Sequence, residues 1–307
     1  MLKQPRAEIR RDYFQNKYVI ITPGRATRPR DVLEQTVYKK YTACGFCPEK
    51  IEKKLRLKTF KTGSDQVTVL KNKFPAVSLD NPRAYGTQEV IVETAEHGPD
   101  LAELSIEQIR AVLKTYAQRT SELSKNKKLD YILLFKNSGS KAGASLQHSH
   151  SQVFATKILP PEVLDELTAA RIYRAEKNSC PHCDIIKKES RSPRRIHNDS
   201  LVCSIAPYAS QYHYEAWIMT KRHLDNISRL NEDELYSFAK ILKQLLYKLH
   251  RIGLAYNFFL HQVISDDAQH FYLKIQPRDN VWGGVELGSG LIINSVSPET
   301  AAKYYRS

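Results

Sequence analysis

No stretch of this chain approaches the roughly 18 uninterrupted apolar residues that a membrane-spanning helix requires. The opening residues, MLKQPRAEIRRDYF, lack the apolar core of a secretory signal. A cytoplasmic protein is therefore expected, with no membrane partner. Linkers rich in proline, or in glycine and serine, are also missing. Cysteine is scarce: there are five, and four of them form two Cys-x-x-Cys pairs, Cys44/Cys47 and Cys180/Cys183. In an unexported chain this spacing points to metal in place of disulfides. A thioredoxin-like redox pair is the rival for either pair alone, and it weakens because histidines follow both. Cys203, in the apolar run 201–206, reads as a small core residue.

Positive charge is plentiful. Lys and Arg number 47 against 33 Asp and Glu, for a formal net charge of +14, which implies anionic partners. The charge is spread over 50–61, 125–128 and 187–195 and is read first as solvated surface. No recognition helix or aromatic RNA-binding signature accompanies it, so nucleic acid is not expected. Nucleotide phosphates would suit the same balance. At 307 residues, 41% of them hydrophobic, the chain has ample length for a core and matches two domains or one large one.

One plan is used twice. In the first half Cys44/Cys47 is followed by a strand-like segment at 88–94, His97, a helix over 105–125 with Ser105 as cap, and a strand at 131–135. A Gly/Ser/Lys loop at 137–145 and a strand carrying His148 and His150 complete it. In the second half Cys180/Cys183 precedes a strand at 214–220, His223, a helix over 231–251, a strand at 256–261 and the segment 270–274. Matched order predicts an α+β protein of two duplicated halves, 1–157 and 158–307, each an antiparallel sheet covered by helix. Between them 162–177 reads as a crossing helix packed through Val163, Leu164, Leu167 and Ile172.

Tetrahedral zinc is commonly held by two cysteines and two histidines, and structural sites use all four positions. Cys44, Cys47, His97 and His148 form one such set, and Cys180, Cys183, His223 and His270 a second. Two structural Zn2+ ions per chain are predicted. His182, His197, His213 and His250 are read as ordinary surface or core residues.

In the run His148-Ser-His-Ser-Gln152, residues two apart on a strand share a face. His148 completes the metal set, which leaves the imidazole of His150 free beside a stiffened strand. A neutral, oriented imidazole can attack an α-phosphorus, expelling a sugar phosphate and leaving a nucleotidyl-histidine. Gln152 can donate hydrogen bonds to phosphoryl oxygens as charge develops, and the 137–145 loop offers backbone N–H groups to phosphates. In the second half Tyr272 stands in the place of His150 and Lys274 in that of Gln152. That asymmetry separates a metal-only half from a reactive one.

Several short segments then add up in order: Glu8-Ile-Arg-Arg-Asp12, Tyr18 to Arg25 with Arg28-Pro29, Cys-Gly-Phe-Cys at 44–47, Asn72-Lys-Phe-Pro75, Glu89 to Glu93 with His97, Gly143 to Gln152, and Glu286-Leu-Gly-Ser-Gly290 with Ile293-Asn294. Through them the chain resembles the galactose-1-phosphate uridylyltransferases of the histidine-triad superfamily and the related ADP-glucose phosphorylases. The resemblance implies a two-step transfer through His150, with Asn72 and Phe74 near the nucleotide and Asn137, Ser145 and Gln152 on the phosphates. It implies that Arg25 and Arg28 reach substrate phosphates, partly across the interface of a homodimer. Two departures stand out. Uridylyltransferases usually carry Pro between the motif histidines, and Ser149 is more like the phosphorylases. Some also build the second metal site from a Glu and three His; Glu166, His261 and His270 echo that set, but Tyr272 removes one ligand.

The expected function is transfer of a nucleoside monophosphate from a nucleotide sugar to a sugar phosphate or inorganic phosphate. The lead is UDP-glucose–hexose-1-phosphate uridylyltransferase and the alternative ADP-glucose phosphorylase. A zinc-stabilised RNA-binding protein without turnover is the rival from another class.

Overall fold

Alternation of large apolar and polar residues places one face of most strands against a common core. The structure, a computed structural model, describes residues 7–27, 44–62 and 65–307. Its centre is a ten-stranded antiparallel sheet. The first half supplies β3 (Arg56–Thr62), β4 (Asp65–Lys71), β5 (Gly86–Val92), β6 (Tyr131–Ser138) and β7 (His150–Thr156). The second supplies β8 (Arg195–Asn198), β9 (Val202–Ile205), β10 (Ala216–Thr220), β11 (Tyr256–His261) and β12 (Tyr272–Pro277). The order is β3-β4-β5-β7-β6-β11-β12-β10-β9-β8. The halves meet at β6 and β11, where Asn137 pairs with Asn257 and Phe135 with Phe259. Outward from that seam the order β6-β7-β5 is matched by β11-β12-β10, so the duplication read from the sequence is present in the topology. A smaller sheet joins β1 (Glu8–Arg11), β2 (Tyr18–Ile21) and β13 (Ile292–Asn294).

Two long helices cover one face of the large sheet and pack on each other. In α1 (Ile106–Leu123) the Ser105 side chain accepts the Gln108 N–H, and in α4 (Glu232–Arg251) Asn231 and Glu234 form a reciprocal capping box. Ile109, Val112, Leu113 and Tyr116 of α1, and Leu235, Phe238, Leu242 and Leu249 of α4, are buried with Ile91, Leu134, Phe258 and Leu273 in one continuous cluster. Each such side chain stabilises the fold by about 1.5–3 kcal/mol on burial. Around this core lie α2 (Pro161–Lys177), α3 (Pro181–Glu189), α5 (Gly284–Ser289) and α6 (Pro298–Arg306). Cys203 is buried beside Trp217 and Met219, as its apolar setting suggested.

Several expected boundaries shift. The strand expected at 88–94 is β5, and it ends at Val92. The strand expected to carry both motif histidines begins at His150, so His148 precedes it. The Nε2 of His148 bonds the Thr94 carbonyl at 2.9 Å, beyond the end of the strand pairing. Strand β6 runs to Ser138, which puts Asn137 on a strand and not in the glycine-serine loop. Tyr214 adopts φ +57, outside the extended range of a strand, and β10 starts two residues later. Packing of the crossing helix is also narrower than expected. Leu167 is buried, but Leu164 and Ile172 are 47% and 55% exposed, because the helix lies at the edge of the molecule on one narrow face.

Candidate active site and metal centres

Four ligand atoms converge in each half. Around the first Cys-x-x-Cys pair, Cys44 Sγ and Cys47 Sγ each lie 3.8 Å from His148 Nδ1, and Cys47 Sγ lies 3.7 Å from His97 Nδ1. In the second half Cys183 Sγ is 3.6 Å from both His223 Nδ1 and His270 Nδ1, and Cys180 Sγ is 3.9 Å from His270 Nδ1. Ligands of a tetrahedral zinc ion stand roughly 3.3–3.8 Å apart, given metal–sulfur and metal–nitrogen bonds of about 2.3 and 2.0 Å. Both clusters fit a four-coordinate metal. The far nitrogens fit as well: His148 Nε2 bonds Thr94 O, His270 Nε2 bonds Thr220 O at 2.8 Å, and His223 Nε2 bonds Asp267 O at 3.0 Å. A carbonyl can only accept, so each Nε2 carries the proton and each Nδ1 offers a lone pair. All eight residues named from spacing are thus brought together in two sets of four.

The alternative second site does not assemble. Glu166 accepts from the Tyr272 hydroxyl at 3.0 and 3.1 Å and lies 3.4 Å from His261 Nδ1, while His270 turns to the cysteines. The Tyr272 ring stacks on His261, with centroids 4.3 Å apart.

His150 opens β7, where β5 holds Val92 opposite it. Its Nδ1 bonds the carbonyl oxygen of His148 at 2.8 Å, which makes Nδ1 the protonated nitrogen and leaves the Nε2 lone pair unshared. Burial pushes the His150 pKa down; the His148 carbonyl opposes this, and the Lys136 cation adds to it. A neutral imidazole at pH 7 follows. The Phe46 ring meets it edge-on at 5.0 Å.

His150 and Gln152, two apart on one face of β7, line a cavity of about 370 Å³. Asn72, Phe74 and Ser145 line the same cavity over a floor that includes Leu70 and Val90. The Asn72 Oδ1 accepts the Phe74 N–H at 2.8 Å, which turns the segment so that Phe74 stands 83% exposed at the rim. Two further residues expected at the site do not line this cavity. Asn137 sits behind the loop, its Oδ1 accepting from Asn257 at 2.8 Å, because the extension of β6 takes it into the sheet. Arg25 lines a different cavity, with Glu286 and Ser295. Arg28 lies outside the described residues.

Other residues at the site were not singled out in the sequence. Lys50, Lys71 and Lys73 line the cavity and give it positive potential; Lys50 belongs to a run expected to be solvated surface. Lys136 is completely buried under β7. Its Nζ bonds Glu93 Oε2 at 2.7 Å, Ser149 Oγ at 3.0 Å and the His150 carbonyl at 3.2 Å. Its only sequence signal was a lysine directly after the apolar run 131–135.

A family model described as galactose-1-phosphate uridyl transferase, N-terminal domain, matches residues 4–160. The chain belongs to the galactose-1-phosphate uridylyltransferase family. It is 30% identical to the ADP-glucose phosphorylase of Arabidopsis thaliana over 97% of this chain and 92% of that protein. It is 27% identical to the galactose-1-phosphate uridylyltransferase of Thermotoga maritima over 97% and 98%. The crystal structure of the Arabidopsis ADP-glucose phosphorylase with bound ADP-glucose matches with a TM-score of 0.85 at 28% identity, covering 98% of this chain and 99% of that one. A uridylyltransferase structure matches at 0.78 with 27% identity, covering 97% of each chain. The resemblance read from the motifs and the expected α+β architecture both hold. Membership of this family makes the chain a nucleotidyltransferase. None of its described helices is long and apolar enough to cross a membrane.

Proposed function

We propose that the chain moves a nucleoside monophosphate from a nucleotide sugar to a phosphate acceptor through a covalent nucleotidyl-His150. The observation that carries this is the His150 ring, tied through Nδ1 to the His148 carbonyl and set on the wall of a lysine-lined cavity. Nε2 attacks the α-phosphorus, an N–P bond forms, and the bond to the leaving oxygen breaks, so the sugar phosphate departs with the electron pair. The acceptor's phosphate oxygen then attacks the same phosphorus, and Nε2 leaves as the neutral imidazole. Gln152 donates to the phosphoryl oxygens, and the lysines hold the phosphates.

Asn72 and Phe74 are assigned to the base and ribose side, Ser145 to the phosphates. Asn137 is kept as a support of the loop through Asn257. Arg25 and Arg28 are assigned to the substrate phosphates, partly across the interface of a homodimer, a reading that suits Arg25's place away from the His150 cavity. Zinc is the metal proposed for both clusters, and when bound it supplies structural tethering alone, since each set has four protein ligands. The halves 1–157 and 158–307 are read as two histidine-triad-like units, and the location as cytoplasmic.

The lead donor is UDP-glucose with a hexose 1-phosphate acceptor. Adenylyl transfer from ADP-glucose to inorganic phosphate is the second reading. It is favoured by Ser149 between the histidines and by the likeness to the Arabidopsis enzyme. Incubation with each donor labelled in the α-phosphate tests both: acid-labile label from UDP-glucose supports the first, and from ADP-glucose the second. Label from neither, or label that survives His150→Ala, rejects the covalent mechanism.

A further inference from the structure

Lys136 and Glu93 are an ammonium and a carboxylate with no more than 1% exposure, buried directly beneath the motif histidines. Around the pair stand the Ser149 hydroxyl, 2.6 Å from Glu93 Oε2, the Tyr116 hydroxyl at 3.3 Å from Glu93 Oε1, and Asp100, 3.8 Å from Lys136 Nζ. Taking two charges out of water costs more than burying apolar side chains of the same volume. A fold has no need of such a pair for stability.

The second half is an internal control. Phe135 faces Gln152 across β6 and β7, and Phe259 faces Lys274 across β11 and β12. The next residues, Lys136 and Leu260, are therefore counterparts. Val92 faces His150 and Met219 faces Tyr272, while the carbonyls that take up His148 and His270 belong to Thr94 and Thr220, so the place of Glu93 falls at Met219 or Thr220, neither of them charged, and Ser149 corresponds to Phe271. Leu260 and Phe271 are fully buried in the apolar core, with Phe238 of α4 against Phe271. That apolar version still assembles a Cys2His2 set, and its His270 still bonds a backbone carbonyl. Neither sheet nor metal set requires the charges. They occur in the half that carries His150.

We infer that Lys136, held by Glu93 and Ser149, is a positioning residue for His150. The His150 ring takes its direction from the His148 carbonyl, so the peptides from 148 to 150 must be fixed for Nε2 to point into the cavity. The Glu93 N–H holds the Ser149 carbonyl at 3.1 Å. Lys136 holds the His150 carbonyl and the Ser149 side chain from below. An apolar side chain in place of Lys136 would leave the His150 carbonyl unrestrained, since it offers no directional bond. The same relation explains the residue between the histidines: a serine there supplies a hydroxyl that the lysine and the glutamate both use. Small displacements of a reacting group cost large factors in rate.

The inference rests on the proposed role of His150. It is tested by the single-turnover rate of nucleotidyl-enzyme formation, with metal content, melting temperature and KM measured alongside. The donor is whichever of α-labelled UDP-glucose or ADP-glucose labels the wild type. Lys136→Met with Glu93→Gln removes both charges together, which avoids leaving one buried and unpaired. The expected result is a rate at least about tenfold lower, with KM unchanged and the metal retained. An unchanged rate overturns the inference. So does a fall accompanied by loss of metal or a matching rise in KM, because the role is then structural. Ser149→Ala, which deletes one hydroxyl, keeps the question decidable if the double variant does not fold: a severalfold slower rate supports positioning and an unchanged one rejects it. A wild type that takes no label from either donor rejects the function itself and this inference with it. Equal labelling of wild type and variants rejects the inference alone.

Discussion

The Nδ1 of His150 lies 2.8 Å from the carbonyl oxygen of His148, so one residue both offers a ligand atom to the Cys2His2 set and fixes the tautomer of its neighbour. The two histidines of the motif are coupled through a backbone oxygen and not through their rings. A change at either position therefore has a distinct signature.

His150→Ala is expected to abolish covalent labelling and lower turnover by more than about a thousandfold, with the metal content of the purified protein unchanged. His148→Ala is expected to lower both, since it removes a ligand and lets the 148–150 segment move. Parallel elemental analysis and labelling of the two variants check the distinction. Full metal retention in His148→Ala would contradict the assignment of its Nδ1.

Metal analysis of the wild type should give about two zinc ions per chain, and Cys180→Ser should remove one without affecting the set around Cys44. Because binding free energy at a structural site adds to folding free energy, a strong chelator should lower the melting temperature.

Acid stability should depend on Asp199. Burial pushes its carboxyl pKa up, but the Ser237 hydroxyl, the Val202 and Leu201 N–H groups and His197 outweigh this and hold it well below the usual carboxylate range. A carboxyl depressed in the folded state contributes stability above its unfolded pKa of about 3.9 and loses it as pH falls towards the folded value. The melting temperature of Asp199→Asn should therefore be lower than that of the wild type at neutral pH. The difference should narrow below about pH 4, as titration of melting temperature against pH would show.

Gly86 opens β5 opposite Thr156 of β7, and a Cβ there would collide with the carbonyl oxygen of Ala155 and with the Val77 side chain. Backbone cannot move aside as a flexible side chain can. Gly86→Ala is expected to destabilise the fold by about 1–3 kcal/mol, measured by denaturant unfolding, because it wedges apart the strand pair that carries His150.

At α4, Asn231→Ala removes a side-chain oxygen that accepts the Glu234 N–H at 2.9 Å. A loss of about 1 kcal/mol is expected, again read from denaturant unfolding, with no change in labelling because the cap lies on a helix at the core face.

Local chemistry made a good part of the protein legible along the chain. Cys-x-x-Cys spacing and repeated order named both Cys2His2 clusters, since ligand chemistry is a matter of residue type and count. Helical periodicity and caps placed α1 and α4 to within two residues. The alternation of β7 put His150 and Gln152 on one side and Ser149 on the other, because the side-chain period of a strand is a backbone property. Folding in three dimensions decided what depends on neighbours far apart in sequence. The Thr94 carbonyl took up the His148 ring just outside the strand; pairing with β11 drew Asn137 out of its loop; Arg25 came to rest in another cavity. Lys136 is the clearest case. A lysine following an apolar run reads as the end of a buried strand, and only the arrival of Glu93 and Ser149 from two other segments makes its burial tolerable and gives its charge something to hold.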